Sequence, residues 1–222
     1  MDEKINGLEK KKALLEDYKR GVMQKLFSQE LRFKDDQGRD FPDWEDMPFA
    51  QIAKRVGEKF DPNKDNDRPI LIELENLLSG TGQIFGEADL DAQKSLKSRF
   101  EAGDVLFGKL RPYLRKFARP EFPGVCSSEI WVLRGKSVTN DFLFQIVQGE
   151  QFNLLANMSS GSKMPRSDWK VISESEFSIP SEAEQRKISG FLSAMDSQIA
   201  HAADEIAEAK ILKKGLLQQM FV

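Results

Sequence analysis

The sequence predicts an α+β protein in which one globular domain, with a mixed and mainly antiparallel sheet, is flanked by two long helices. Apolar residues recur at helical spacing at both ends of the chain, whereas the middle consists of short apolar runs separated by Gly, Pro, Asn and Asp. A chain of 222 residues, 40% of them hydrophobic, is large enough for one core and a smaller elongated part. We therefore predict helices at 1–29 and 181–222 on either side of a globular domain at 30–180.

A segment near the start of the chain recurs near its end. Residues 19–27, KRGVMQKLF, are similar to residues 213–221, KKGLLQQMF, and the apolar residues upstream of both copies fall at equivalent positions. Their spacing places them on one helical face, so we predict that the two helices pair as an antiparallel coiled-coil-like spacer. The predicted helix-pairing and partner-docking residues are Leu8, Leu15, Val22, Leu192, Ile199, Ile206 and Leu216. In the alternative arrangement, each helix packs separately against the globular domain.

The C-terminal helix has a recognisable start. Ser181 follows a proline and precedes Glu184 by three residues, which is the spacing of a capping box. In that motif the serine oxygen accepts a backbone amide hydrogen bond and the glutamate reaches back to the serine amide. The N-terminal copy of the repeat lacks counterparts of residues 181–194, so we expect the chain to be cut from a longer protein or to be a naturally halved form.

The central domain is expected to contain short strands and two helices. The apolar runs predict strands at 70–74, 105–107, 115–118 and 130–133. Apolar residues at near-helical intervals predict helices at 48–56 and 141–155.

The densest basic segment lies at 97–119, where seven Lys and Arg residues stand against two acidic ones. Because Lys and Arg release counterions when they neutralise phosphates, this segment predicts a local phosphate-binding surface; a solvated strand edge is the alternative. A polar loop at 159–166 offers hydroxyls and two cations suited to phosphates or base edges; an ordinary surface loop is the alternative and, for this segment alone, the favoured interpretation. Lys59, Lys64 and Arg68 form a third and weaker candidate group of basic residues for phosphate binding. The predicted DNA-binding residues are Lys109, Arg111, Arg115, Lys116, Arg119, Ser159, Ser160, Lys163 and Arg166.

Patterns typical of catalysis are incomplete. Residues 103–109 have the GxxxxGK spacing of a phosphate-binding loop, but Leu110 stands where Ser or Thr would bind magnesium. His201 is the only histidine, which argues against histidine-assisted nucleophiles and a histidine metal site. The best available carboxylate and lysine set for a nuclease is Asp104, Glu121, Glu129 and Lys136. Such a set arises easily among 36 acidic residues, so we predict no catalytic residues, no bound metal and no cofactor.

Charge and cysteine content limit the remaining possibilities. The formal charge of −3 gives no overall attraction to a polyanion, so a nucleic-acid site must be a local patch. The single cysteine, Cys126, excludes an intramolecular disulfide and fits a reducing compartment. The sequence has no apolar run of the ~18 residues that span a bilayer, so we expect no membrane partner and a cytoplasmic location.

The flanking segments resemble those of a known family. IPSEAEQRKI at 179–188, followed by FL at 191–192 and DSQI at 196–199, is similar to the proline-to-helix start of the conserved spacer helix in type I restriction-modification specificity subunits. The KGLLQQMF ending and its N-terminal echo resemble the helix ends of that family. LRFKD at 31–35, with FPDW at 41–44, resembles the beginning of a target recognition domain. The resemblance covers essentially the whole chain and is to the second half of such a subunit.

The resemblance implies DNA recognition without catalysis. Family members carry two target recognition domains separated by antiparallel helices, and each domain reads one half of a split DNA sequence. Methyltransferase (M) subunits dock on this scaffold and methylate adenine, while an ATP-dependent restriction (R) subunit cleaves unmodified DNA. The expected partners are thus double-stranded DNA, M and R subunits, and a second recognition domain supplied by homodimerisation or by a longer chain. A coiled-coil scaffold whose central domain binds protein is the alternative function.

Overall fold

The computed structural model describes residues 1–158 and 164–220, with the backbone alone at 219 and 220. The helices are α1 (Asp2–Phe27), α2 (Phe49–Ile52), α3 (Asn140–Gln148), α4 (Glu150–Ala156), α5 (Trp169–Glu174) and α6 (Glu182–Met220). The strands are β1 (Glu45–Pro48), β2 (Ala53–Arg55), β3 (Lys59–Phe60), β4 (Leu71–Ile72), β5 (Lys97–Phe100), β6 (Val105–Gly108), β7 (Phe117–Ala118), β8 (Gly124–Cys126), β9 (Ile130–Gly135) and β10 (Glu176–Ile179). The predicted α+β class with long terminal helices is confirmed.

The chain forms two compact units. The helical unit comprises Met1–Lys34 together with the residues from Lys187 onward, and the globular unit is Asp35–Arg186. The helical unit contains α1 and nearly all of α6. The globular unit contains the ten strands, α2 to α5 and the first residues of α6. In the part of the chain that the structure describes, no helix has both the length and the apolar character needed to cross a membrane.

In the helical unit, α1 and α6 lie side by side and antiparallel. Ion pairs set the register and join Lys19 to Asp196, Lys11 to Glu205, and Glu9 to Lys210. The residues buried in the seam are Ile5, Val22, Met23 and Leu26 of α1, and Ile188, Leu192, Met195, Ala202, Ile206 and Ala209 of α6. Most of the stability of such long helices comes from packing along an apolar seam of this kind. The antiparallel pairing agrees with the predicted spacer.

In the globular unit, the strands form two four-stranded sheets and one two-stranded ribbon. The sheet orders are β2-β9-β6-β7 and β3-β5-β8-β4, and β1 pairs with β10. Among the described strands, every pairing is antiparallel except that of β4 with β8. Phe100, Leu106, Cys126 and Val132, which come from both four-stranded sheets, share one buried cluster. The prediction of mixed, mainly antiparallel β structure is confirmed, although the strands divide between separate sheets.

Both helices predicted inside the domain need correction. The helix at 48–56 ends after α2, because Ala53–Arg55 is extended and pairs with β9. That ladder uses the backbone groups that a continuing helix would need. The helix at 141–155 is interrupted at Gly149, whose extended backbone ends α3 and begins α4. Glycine is a poor helix former, which explains the break.

Two of the predicted strands are shorter than expected. The strand at 70–74 is limited to β4, because Leu74 begins a 3₁₀ turn that Glu73 and Asn76 cap. The strand at 115–118 is limited to β7, because Arg115 has a left-handed backbone. The predictions that became β6 and β9 are confirmed.

The start of α6 differs from the predicted capping box. Ser181 Oγ is buried without a hydrogen-bond partner among the described residues. Glu184 is buried too, and its carboxylate accepts a hydrogen bond from Trp44 Nε1 at 3.0 Å. Gln185 Nε2 donates to the Pro180 carbonyl oxygen at 3.0 Å. The serine half of the prediction is therefore wrong, and side chains of the globular unit hold the start of the helix.

Candidate nucleic-acid interface

The basic segment at 97–119 is divided between the two four-stranded sheets. Lys97 lies on β5 and is buried, and its Nζ donates to Glu73 Oε1 at 2.5 Å. Arg99, also on β5, pairs with Asp67 at 2.8 Å, and this hydrogen bond raises the pKa of the guanidinium. Both of these cations are therefore engaged within the fold.

Three of the predicted DNA-binding cations have partners within the globular unit. Arg115 donates to the Gln148 carbonyl oxygen at 2.7 Å, Lys116 to the Leu74 carbonyl oxygen at 2.5 Å, and Arg119 pairs with Asp141 at 3.0 Å. A phosphate contact by any of these side chains competes with an existing bond.

Two segments that are distant in sequence meet at a loop junction, which we define as residues 109–111 and 165–167. The two segments run antiparallel, and the Arg111 amide donates to the Pro165 carbonyl oxygen at 2.8 Å. The predicted DNA-binding residues brought together here are Lys109, Arg111 and Arg166. The predicted residues Ser159, Ser160 and Lys163 lie outside the described residues.

The backbone is strained at two arginines, Arg111 within the loop junction and Arg115 shortly after it. Arg111 and Arg115 both have a φ of 51° and flank the 3₁₀ turn Pro112–Leu114. A left-handed conformation is uncommon for residues other than glycine, and such residues cluster at binding sites. The Arg111 side chain is exposed and makes no hydrogen bond or ion pair with another described residue. Tyr113 is 57% exposed, so its ring is available for stacking, whereas that of Phe117 is buried.

Glu129 partly neutralises the loop junction. Arg166 donates to both of its carboxylate oxygens, at 2.9 and 3.1 Å, and Lys109 Nζ lies 4.0 Å away. The hydrogen bond from Arg166 is the main reason that the pKa of Glu129 lies below its usual value, and the charge of Lys109 contributes. Arg111 is therefore the cation of this junction that is not engaged by a described carboxylate.

A basic pocket of about 500 Å³ opens in the globular unit and was missed in the sequence. Its described lining includes no carboxylate. The cations that line it are Lys54, Arg55, Lys59, Lys109 and Lys136. Lys109 was a predicted DNA-binding residue and Lys59 belonged to the third basic group. The helix wrongly predicted at 48–56 concealed Lys54 and Arg55, which lie on β2, an edge strand.

Arg55 is held against two indole rings of this pocket. Its guanidinium carbon lies 4.9 Å from the ring centroid of Trp169 and 5.8 Å from that of Trp131. The two rings meet edge to face, with centroids 5.5 Å apart. Cation–π attraction of this kind orients a guanidinium without using its N–H donors. The Arg55 side chain is exposed, lines the pocket and makes no hydrogen bond or ion pair with another described residue, so its N–H donors are available to a ligand.

Two of the three acidic residues considered for catalysis, Asp104 and Glu129, have structural partners. Asp104 is buried, and Arg134 donates to both of its oxygens at 2.7 and 2.8 Å. Glu129 is occupied by Arg166, as described above. Within residues 1–158 and 164–220, no three His, Cys, Asp or Glu side chains gather as a metal site would require. Burial raises the pKa of the Cys126 thiol to about 12, which keeps it protonated.

Comparison with known proteins gives the family. Residues 86–210 match the model of the type I restriction modification DNA specificity domain. The chain belongs to this family. The matched residues include the loop junction and most of α6, whereas Arg55 and the remainder of β2 precede them.

Individual relatives agree with this assignment. The chain is 26% identical over 185 residues to the type I restriction enzyme EcoDI specificity subunit of Escherichia coli, an alignment that covers 80% of the chain and 41% of that protein. The type I restriction-modification S subunit of M. genitalium has the same fold, with a TM-score of 0.64 and 14% identity over 97% of the chain and 56% of that structure. The HsdS subunit of Thermoanaerobacter tengcongensis gives a TM-score of 0.58 and 16% identity over 98% and 54%. The chain thus spans about half the length of the specificity subunits that it matches.

Proposed function

We propose that the chain reads one half of a bipartite DNA target and serves as a scaffold for the methyltransferase and restriction subunits of a type I restriction-modification complex. Membership of the DNA specificity family supports the DNA target. In this proposal the chain is not itself an enzyme, and adenine methylation and ATP-dependent cleavage belong to its partners. The setting proposed for this complex is the cytoplasm.

The loop junction is the main structural support for the DNA-binding part of the proposal. Two segments chosen separately for their residue types lie side by side there. Arg111 is exposed and has no described carboxylate partner, so it can neutralise a phosphate at little cost. Arg166 and Lys109 stand beside it. Arg115, Lys116, Arg119, Ser159, Ser160 and Lys163 remain proposed DNA contacts.

The helical unit supports the scaffold part of the proposal. Of the predicted pairing residues, Val22, Leu192 and Ile206 are buried, Leu8, Leu15 and Ile199 are half-buried, and Leu216 is exposed. The large apolar side chains left exposed on these helices are Leu14, Tyr18, Ile211, Leu212, Leu216 and Leu217. They form two groups, Leu14 with Tyr18 on α1 and the other four within one stretch of α6, and exposed apolar residues grouped in this way are typical of protein interfaces. We assign them to the M subunits and to the second recognition half, contributed by another copy or by a longer chain.

Binding of the purified chain to a labelled random-sequence duplex tests the DNA-binding part. The expected logarithm of the affinity falls linearly with the logarithm of salt concentration, by about 0.9 for each phosphate contacted. A chain that shows no such affinity at low salt, but copurifies stoichiometrically with a protein, would instead be the coiled-coil scaffold considered from the sequence.

A further inference from the structure

The basic pocket concentrates positive charge in a chain that is acidic overall. Five cations line it, and its described lining has no carboxylate, while the whole chain has a formal charge of −3. Lys54, Arg55 and Lys59 form no ion pair with another described residue, and all three are exposed. Cations left without a counterion in such a setting attract a polyanion. The pocket shares Lys109 with the loop junction, so both features belong to one continuous set of residues.

Arg55 is held in the pocket by its strand and by two aromatic rings. Its strand pairs with β9 in a register that places Arg55 opposite Leu133, and the amide of the next residue donates to the Val132 carbonyl oxygen at 2.8 Å. The two indole rings then hold the guanidinium. A lysine ammonium on a flexible stem can follow a phosphate, whereas a planar guanidinium in a fixed orientation suits bidentate recognition.

The indole rings of Trp131 and Trp169, which contact Arg55, are themselves packed against other aromatic side chains. Trp131 is buried and packs against Phe107 at a tilt of 34°, with a centroid distance of 5.9 Å. Trp169 packs on Phe49, which is fully buried, at 5.9 Å. Immobilising a side chain before binding lowers the entropy lost on association. This aromatic support therefore presents the Arg55 donors in one orientation before any ligand arrives.

We propose that Arg55 is a specificity-determining residue that donates two hydrogen bonds to the O6 and N7 atoms of a guanine in the DNA target, with Trp169 as its positioning residue. This inference rests on the DNA recognition proposed above. Paired Arg donors fit the guanine edge in the major groove and discriminate it from other bases by about 5- to 150-fold. Lys54, Lys59 and Lys136 then contact phosphates on either side, which adds affinity without sequence preference.

The test is selection of bound sequences from a pool of random duplexes by the wild-type chain and by Arg55→Lys. Lysine keeps the charge and removes the fork, so the variant is expected to lose the preference for guanine at one position by about 5-fold or more while its salt dependence is unchanged. Arg39→Lys is the matched control, because Arg39 lies in the same unit outside the pocket and its side chain is 70% exposed. Its selected sequence should equal that of the wild type.

Trp169→Ala and Trp169→Phe test the positioning role. The alanine variant should lose preference at the same base position as Arg55→Lys, whereas the phenylalanine variant, which retains a ring face, should keep part of it. A purely structural role would lower the melting temperature and the affinity for every sequence alike.

The outcomes separate this inference from the proposed function. A wild-type chain that selects a sequence, with an Arg55→Lys variant that selects the same sequence equally strongly, overturns guanine reading and leaves DNA recognition standing. If Arg55→Ala lowers the affinity for all sequences equally and lowers the salt slope by about one, Arg55 contacts a phosphate. That result also overturns guanine reading. A wild-type chain without salt-dependent affinity for duplex DNA overturns both.

Discussion

Lys19 and Asp196 join the two helices of the helical unit through a hydrogen bond of 2.5 Å between Nζ and Oδ1. The lysine side chain is 11% exposed and the aspartate 31%. Burial raises the pKa of the Asp196 carboxyl and outweighs the opposing effect of the lysine charge. Partly buried ion pairs of this kind lose solvation energy that their attraction must offset. The pair joins Lys19 of α1 to Asp196 of α6 and helps to set the register of the two helices.

Lys19→Met is expected to destabilise the protein by about 1–3 kcal/mol, because it leaves the Asp196 carboxylate half-buried without its partner. The double variant Lys19→Met/Asp196→Leu should recover most of that loss, since replacing both charges removes the desolvation cost. Urea unfolding of the three proteins measures this difference. Lys210→Met, which breaks the exposed pair with Glu9, is the control and should change stability by about 0–1 kcal/mol. A double variant no more stable than Lys19→Met would contradict the desolvation argument.

Leu192→Ala and Leu216→Ser should separate packing from association. Leu192 is completely buried in the seam, so its truncation should lower the free energy of unfolding by about 2–5 kcal/mol. Leu216 is 45% exposed, so Leu216→Ser should leave stability within about 0.5 kcal/mol. The second variant is expected to weaken self-association or capture of M subunits, measured by sedimentation and by pull-down. Unchanged association would remove Leu216 from the proposed docking surface.

Arg111→Asn should weaken binding to duplex DNA and lower the salt slope by about one, as expected when one phosphate contact is lost. Asparagine is the matched replacement because it tolerates the left-handed backbone that alanine would strain. Arg115→Asn shares that backbone conformation but begins from a side chain bonded to Gln148. It should cost less affinity than Arg111→Asn. Equal affinity of the wild type and both variants at low salt would exclude this loop from the interface.

The Glu129 to Arg166 pair should make the loop junction sensitive to acid. The pKa of Glu129 in the folded protein is lowered, chiefly by the hydrogen bond from Arg166, so the unfolded chain binds the proton more readily. The pair therefore stabilises the fold above the unfolded pKa, and this contribution disappears as the pH falls through the folded pKa. Urea unfolding between about pH 6 and about pH 3 should show a smaller loss of stability for Glu129→Gln than for the wild type. Identical pH profiles would show that the pair contributes nothing.

Much of the helical unit could be predicted because its periodic pattern is local in sequence. The repeated segments and the spacing of Leu192 and Ile206 identify both helices and their buried face. The basic pocket could not be predicted in the same way. Arg55 depends on pairing of β2 with a strand about eighty residues later and on Trp169 from α5, and neither contact leaves a short-range pattern.

The number of basic residues in a segment does not reveal which of them are exposed. Lys97 and Arg99 contributed to the predicted basic segment, yet each has a carboxylate partner on a neighbouring element. Arg111 in the same segment is exposed. The fold is needed to tell a buried, paired lysine such as Lys97 from an exposed arginine such as Arg111.

Coexpression of the chain with its methyltransferase subunits, followed by genome-wide mapping of methylated adenines, tests most directly whether the chain reads one half of a split DNA target. We expect methylation confined to one motif made of two short specified segments separated by unspecified bases, and a change in each segment that this chain reads when Arg55 is replaced by lysine. Methylation at a single continuous motif, or at the same sites when the chain is omitted, would contradict this expectation.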